Sequence, residues 1–154
     1  MNRSSIARGA RRRASLWCRA LLAASIVGNA QSACTVSTAG LAFGSYDPFA
    51  AAALDSTGDI SIECAAVTAF TVRLASGSGG AHQRRLGGPG QQALAYNLYV
   101  DAARTTAWGD GSAGTATAGG SGTAVHLPVY ARVPAGQNVE AGSYMDSVTI
   151  LVEY

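Results

Sequence analysis

Two alternating apolar patterns occupy residues 125–154, which read VHLPVYARVPAGQNVEAGSYMDSVTILVEY. The first pattern is formed by Val125, Leu127, Val129 and Val133, and the second by Tyr144, Val148, Ile150, Val152 and Tyr154. A period of two places one row of side chains in a core and the other in water, which predicts two strands. Pro134, Gly136 and Gly142 lie between the patterns, as a connecting loop requires.

The second of these strands closes the sequence, with no later strand to pair with it. An unpaired apolar edge invites the addition of a strand from another chain. The sequence therefore predicts a β-sandwich with one open edge.

Further strands are predicted at residues 41–46, 60–64, 70–74 and 93–101, with no long helical periodicity between them. The strands at 60–64 and 70–74 are expected to be antiparallel neighbours joined by a short loop. Glycine-rich loops follow at 76–92 and 109–122, and Trp108 is expected to pack against the sandwich. The residues expected in the core are Ile62, Val72, Leu98, Val129, Val148 and Ile150.

Residues 1–30 are predicted to be a secretory signal peptide. Six arginines lie within the first 19 residues, residues 20–27 are a short apolar run, and Gly28, Asn29 and Ala30 form a small-residue cleavage site. Eight apolar residues are too few for a membrane-spanning helix, which needs about 20. Residues 31–154 are then one exported domain.

Removal of the signal peptide reverses the charge. All nine acidic residues follow Ala30, but only five of the eleven basic residues do, so the formal net charge changes from 11 − 9 = +2 to 5 − 9 = −4. An acidic domain without lysine lacks the basic surface that nucleic acid requires. We therefore expect no nucleic-acid partner.

Cys34 and Cys64 are the two of the three cysteines that remain after Ala30. An oxidising compartment favours a disulfide between them. A catalytic or metal-binding role lacks support, because no histidine is near either residue and there is no CxxC motif.

No motif indicates catalysis, a metal or a cofactor. The glycines of residues 76–92 are not followed by a helix, as a nucleotide-binding loop would be. Asp110 alone among glycines cannot supply the oxygens of a calcium site. His82 and His126 have no partner acid or nucleophile nearby in sequence. We therefore expect a protein that is not an enzyme and binds no cofactor.

Seven short motifs are spread over residues 34–154 in a characteristic order. They are CTV (34–36), LAFGSY (41–46), GDISIEC (58–64), YNLYVD (96–101), WGDG (108–111), VYARVPAGQ (129–137) and GSYMDSVTILVEY (142–154). Together they resemble the spore coat protein U domain family, which includes subunits of archaic chaperone–usher pili.

The resemblance implies an incomplete immunoglobulin-like β-sandwich that lacks its last strand and is completed by a donor strand. A periplasmic chaperone would supply that strand first, and a neighbouring pilus subunit would replace it after passage through an outer-membrane usher. The chain would thus reach the cell surface as part of an extracellular fibre. The implied donor-strand groove is lined by Phe43, Tyr144, Val148, Ile150, Val152 and Tyr154.

One feature departs from the pattern of polymerising subunits. Only Gln31, Ser32 and Ala33 separate the predicted cleavage site from Cys34, whereas a donor strand needs about ten residues because each adds only about 3.3 Å. The chain is therefore predicted to accept a strand without donating one, which suits a tip or minor subunit.

Two other functions remain open. The chain could be a secreted spore-coat or matrix structural protein, or a carbohydrate-binding adhesin module that uses Trp108 and nearby tyrosines. A fibre subunit requires a chaperone, a coat protein is a stable monomer without one, and an adhesin has measurable affinity for sugars.

Overall fold

The computed structural model describes residues 34–154; the predicted signal peptide and residues 31–33 lie outside them. The described residues form seven strands: β1 (Cys34–Thr38), β2 (Leu54–Leu74), β3 (Gly79–Gly80), β4 (Gln83–Gly87), β5 (Ala93–Tyr99), β6 (Ala118–Val133) and β7 (Ile150–Glu153). A single 3₁₀ turn covers Pro89–Gln91, and residues 34–154 contain no α-helix. The predicted all-β class is confirmed.

The strands follow the order β1-β2-β6-β5-β4-β3, and β7 also pairs with β2. Every pairing between these strands is antiparallel. β1 lies beside residues 60–64 of β2, and β7 lies beside residues 71–74. Because β6 pairs with both parts of β2, β1 and β7 share the opposite edge of that strand.

The two strands predicted at 60–64 and 70–74 are one strand, and the prediction that they are antiparallel neighbours is wrong. β2 runs through both, with only a shift of register between Glu63 and Thr68. The intervening residues, AAVT (65–68), include no glycine, proline or asparagine, so nothing there reverses the chain. The β2–β6 pair accommodates the extra residues as an irregularity instead.

The core lies between the apolar faces of β2, β5 and β6. Its buried members are Ile60, Ile62, Phe70, Val72, Leu74, Leu94, Tyr96, Leu98, Trp108, Val129, Ala131 and Val133. Four of the six predicted core residues are among them, and so is Trp108. Val148 and Ile150 are only half-buried, because both line an open groove.

One predicted strand is not formed and another is shorter than predicted. Residues 41–46 pair with no strand, since Gly40 and Gly44 adopt positive φ angles of 76° and 79°, which interrupt a ladder. The first strand is instead β1. At the other end, only Ile150–Glu153 forms regular pairs, and residues 144–149 are extended with a single bridge between Met145 and Gly87.

Two regions predicted as loops contain strands. The loop expected at 76–92 holds the short β3–β4 hairpin, and β6 begins at Ala118, seven residues before the alternation at Val125. The sequence AGGSGTA (118–124) has few side chains to show a period, so the sequence pattern could not reveal this part of the strand. Among residues 34–154, no helix has the length and apolarity to cross a membrane.

Candidate functional site: an apolar groove between two extended segments

An apolar groove of about 1010 Å³ opens between residues 41–46 and residues 144–150. We call these segments the first wall and the second wall. The floor of the groove consists of core side chains from β2, β5 and β6: Ile60, Leu74, Leu94, Leu98, Val129 and Val133. Each of these floor residues is no more than 7% exposed, so the apolar surface that the groove opens to solvent belongs mainly to half-buried residues of the walls.

Both walls keep main-chain groups free of main-chain partners. Among residues 34–154, no backbone–backbone hydrogen bond involves the first wall. Met145 exchanges two such bonds with Gly87 (2.8 and 3.0 Å), and the Thr149 carbonyl accepts one from Ala75 (3.0 Å). Since main-chain groups alternate in direction along an extended chain, those of Asp146 and Val148 point away from this paired side. Each wall therefore offers an edge to which another strand could bond.

The structure brings four of the six predicted groove residues together. Phe43 of the first wall faces Tyr144, Val148 and Ile150 of the second, and all four are half-buried in the groove. The Phe43 ring meets the Tyr96 ring edge-on, with 5.8 Å between centroids. This shared position explains why Val148 and Ile150 are less buried than the rest of the core.

The other two predicted groove residues lie outside the lining. Val152 lies in β7, where it pairs with Val72 of β2 and packs against the core. Tyr154 has 64% of its surface exposed. The alternation in sequence continues past the groove because β7 goes on to pair with β2.

A disulfide joins Cys34 and Cys64, as predicted. The two residues are directly opposite each other in the β1–β2 pair. The bridge ties the start of β1 to β2, and the other end of β1 leads towards the first wall.

Asp146 fixes the second wall, and the sequence prediction missed it. Its carboxylate accepts a hydrogen bond from the Tyr96 hydroxyl (2.8 Å) and one from the Ser78 backbone N–H (3.1 Å). Burial raises the pKa of Tyr96 well above its usual range, and the bond to Asp146 raises that pKa further. The sequence could have indicated this role, because Asp146 is a charged residue at a position between Tyr144 and Val148 where the alternation predicts an apolar one.

A buried arginine lies behind this wall. Arg84, in β4, is fully buried, and its guanidinium donates to the carbonyls of Ala75, Ala81 and Trp108 and to the side-chain oxygen of Asn97. Burial lowers the pKa of Arg84, although a guanidinium remains charged in proteins. The sequence pattern predicts only a glycine-rich loop at this position.

Ser61, Asp59 and His126 meet on the surface, but not as a hydrolytic triad. The same imidazole nitrogen, Nδ1, lies 3.0 Å from Ser61 Oγ and 2.9 Å from the Asp59 carboxylate. A triad needs one ring nitrogen for the serine and the other for the acid. The contact instead holds the pKa of Asp59 below its usual value. Within residues 34–154, no three His, Cys, Asp or Glu side chains form a group that could hold a metal ion.

Comparison with known proteins places this architecture in a family. The model of the spore coat protein U domain matches residues 20–151. Protein U of Myxococcus xanthus is 34% identical over 143 residues, which cover 82% of this chain and 80% of that protein.

A solved structure shares the fold. It is a chain in the crystal structure of the CsuC–CsuE chaperone–tip adhesion subunit pre-assembly complex from the archaic chaperone–usher Csu pili of Acinetobacter baumannii. The TM-score is 0.58 at 19% sequence identity, and the match covers 80% of this chain but only 40% of the other. At this identity the likeness concerns the fold alone. Because the family model matches most of this chain and Protein U is 34% identical to it, the chain belongs to the spore coat protein U domain family.

Proposed function

We propose that this chain is a structural, non-enzymatic subunit of a secreted chaperone–usher surface pilus, and that the groove accepts a donor strand. The observation that carries the proposal is the apolar groove between two extended walls, each with main-chain groups free of main-chain partners. A strand laid between the walls could extend the ladder on both sides while its alternate side chains cover the floor. Within residues 34–154, this groove combines half-buried apolar side chains with free strand edges.

The chemistry of the groove selects its occupant. The floor is aliphatic, and the inward residues of the walls are aliphatic or aromatic except Asp146, whose carboxylate is already bonded to Tyr96 and Ser78. A bound strand should therefore present apolar side chains at every second position. Its other side chains would face water. Occupancy would remove Phe43, Val148 and Ile150 from solvent and so stabilise the domain.

The proposed partners follow from this exchange of strands. A periplasmic chaperone would cover the groove after export, an outer-membrane usher would receive the complex, and a neighbouring subunit would supply the final strand. The fold shared with a chain of a chaperone–subunit complex supports these partners. The chain would pass through the periplasm and end in a fibre at the cell surface.

Peptide rescue tests the groove directly. A peptide of about ten residues with apolar side chains at alternate positions should stabilise the protein, by about 2.7 kcal/mol at roughly 100 times its Kd. Phe43→Ala should weaken peptide binding about tenfold or more, since it removes an aromatic side chain from the groove. Calorimetric titration and thermal unfolding measure both effects.

Phe49→Ala is the matched control. Phe49 is an aromatic residue six positions away, 94% exposed and outside the groove lining, so its removal should leave peptide affinity unchanged. A scrambled peptide of equal composition should not bind. Equal loss of affinity in both phenylalanine variants, or no stabilisation by the alternating peptide, would overturn the proposal.

A place at the tip, or as a minor subunit, is the finer part of the proposal. It rests on the three residues between the predicted cleavage site and Cys34, which are too few to fill a neighbour's groove. The purified exported protein should therefore form no homopolymers, as seen by electron microscopy and on unheated gels. Ladders of bound copies, or cleavage well upstream of Ala30, would refute this assignment.

A secreted coat or matrix protein is the second candidate, favoured by the 34% identity to Protein U and by the family description. It predicts a stable monomer that is secreted without a chaperone, and genes for a chaperone and an usher would be missing from its neighbourhood. The carbohydrate-binding alternative loses its main residue, because Trp108 is fully buried and donates its indole N–H to the Val72 carbonyl. Trp108 therefore has no surface with which to contact a sugar.

A further inference from the structure

The VPAGQ motif at residues 133–137 forms a clasp around the end of the first wall. The Tyr46 hydroxyl donates to the Pro134 carbonyl (3.1 Å) and accepts from the Gln137 backbone N–H (2.8 Å). Gly136 has a positive φ of 73°, which turns the chain back so that both groups reach one hydroxyl. We call Tyr46, Pro134 and Gln137 the clasp.

The clasp is anchored to the rigid part of the sheet. The Gln137 side-chain amide accepts from the Ala95 N–H (2.7 Å) and donates to the Ala95 carbonyl (2.9 Å). This pair of bonds reproduces a strand pairing at the point where Pro134, without an N–H, cannot continue the β5–β6 ladder. Gln137 thus connects a buried strand to the hydroxyl that holds the wall.

The first wall has few other attachments. It makes no backbone–backbone hydrogen bond within residues 34–154, and glycines at positive φ lie immediately before it and within it. Besides the clasp, its polar anchor is the Ser56 hydroxyl, which donates to the Ala42 carbonyl (2.7 Å). Side-chain bonds therefore hold this wall in place while its main-chain groups stay free.

We propose that Tyr46 of the clasp, together with Ser56, is a positioning residue that keeps the first wall ordered before a donor strand arrives. This inference rests on the proposed function. Ordering a backbone segment opposes binding by its loss of conformational entropy, and a wall that is already ordered avoids most of that loss. The clasp therefore sets how tightly and how fast the groove takes a strand, while the apolar floor sets which strand it takes.

Tyr46→Phe is the direct test, because it removes one hydroxyl and keeps the ring. The protein purified from the periplasm is titrated with the alternating apolar peptide, and cleavage within residues 41–46 by a nonspecific protease is followed, because an ordered segment resists cleavage. The Kd should rise about five- to tenfold, as for the loss of one or two net hydrogen bonds. Cleavage in the wall should accelerate without peptide and be suppressed when peptide saturates the groove.

Tyr130→Phe is the matched control. Tyr130 lies in β6, where its ring is 5.7 Å from the Arg104 guanidinium, and it does not line the groove. This variant should keep the wild-type Kd and cleavage rate. Ser56→Ala, which removes the second anchor through a different residue, should repeat the Tyr46→Phe result and keeps the test open if Tyr46→Phe folds poorly.

The outcomes separate the two proposals. If the wild type fails to bind the peptide, the proposed function fails and the clasp has no strand to receive. If the wild type binds but Tyr46→Phe and Ser56→Ala bind equally well with unchanged cleavage of the wall, only the positioning role is overturned. Weaker binding and faster cleavage confined to these two variants establish it.

Discussion

Arg84→Met should lower the free energy of unfolding by roughly 3–6 kcal/mol, because it deprives several buried oxygens of their donors. The guanidinium donates to the carbonyls of Ala75 (2.9 Å) and Trp108 (2.8 Å) and to Asn97 Oδ1 (2.7 Å). Methionine fills much of the same volume but donates nothing, so the change isolates the lost hydrogen bonds. For a domain with a total stability of about 5–15 kcal/mol, the variant should be close to unfolding.

Urea unfolding measures this effect, with the fluorescence of buried Trp108 as the signal. Arg85→Met is the matched control, since Arg85 is the next residue in the same strand but is exposed. Its substitution should change stability by less than about 0.5 kcal/mol. Similar losses in the two variants would show that Arg84 acts as a surface charge and would contradict its role as a buried donor.

Reduction of the Cys34–Cys64 disulfide should have the second largest effect. The bridge closes a loop with a sequence separation of 30, for which the chain-entropy model gives about 3–4 kcal/mol at 25 °C. The loss should be greatest in the empty subunit, because the bridge holds to β2 the strand β1, which leads into the first wall.

The urea midpoint of the exported protein with and without a thiol reductant measures the contribution of the bridge. A Cys34→Ser, Cys64→Ser double variant should match the reduced protein, and reductant should not shift its midpoint further. A midpoint in the wild type that is insensitive to full reduction would contradict a stabilising role.

Alternation by itself predicted much of the sheet. The strands containing Ile62, Val72, Leu98 and Val129 were found, and all four residues are buried. This succeeded because a period of two is imposed by the local geometry of a strand, whatever its neighbours are. The disulfide could also be predicted, because two cysteines remain in a domain expected to enter an oxidising compartment.

Neighbouring elements decided the parts that the patterns missed. Whether AAVT (65–68) is a turn or an irregular part of one strand depends on β6, which runs along both halves of β2. Arg84 is buried because acceptors from Ala75 and Trp108 reach it, and the latter lies 24 residues away in sequence. No local property of QRRLG (83–87) contains that information.

The groove shows the same division most clearly. The sequence by itself determined that Phe43, Tyr144, Val148 and Ile150 are apolar residues on extended segments, and hence that their burial is favourable. Only the tertiary structure decided that the two segments stand on either side of a groove with core side chains at its floor, and that Asp146 and the clasp hold them there. The physical reason is that periodicity depends on residues two positions apart, whereas a groove depends on contacts between residues separated by up to 91 positions.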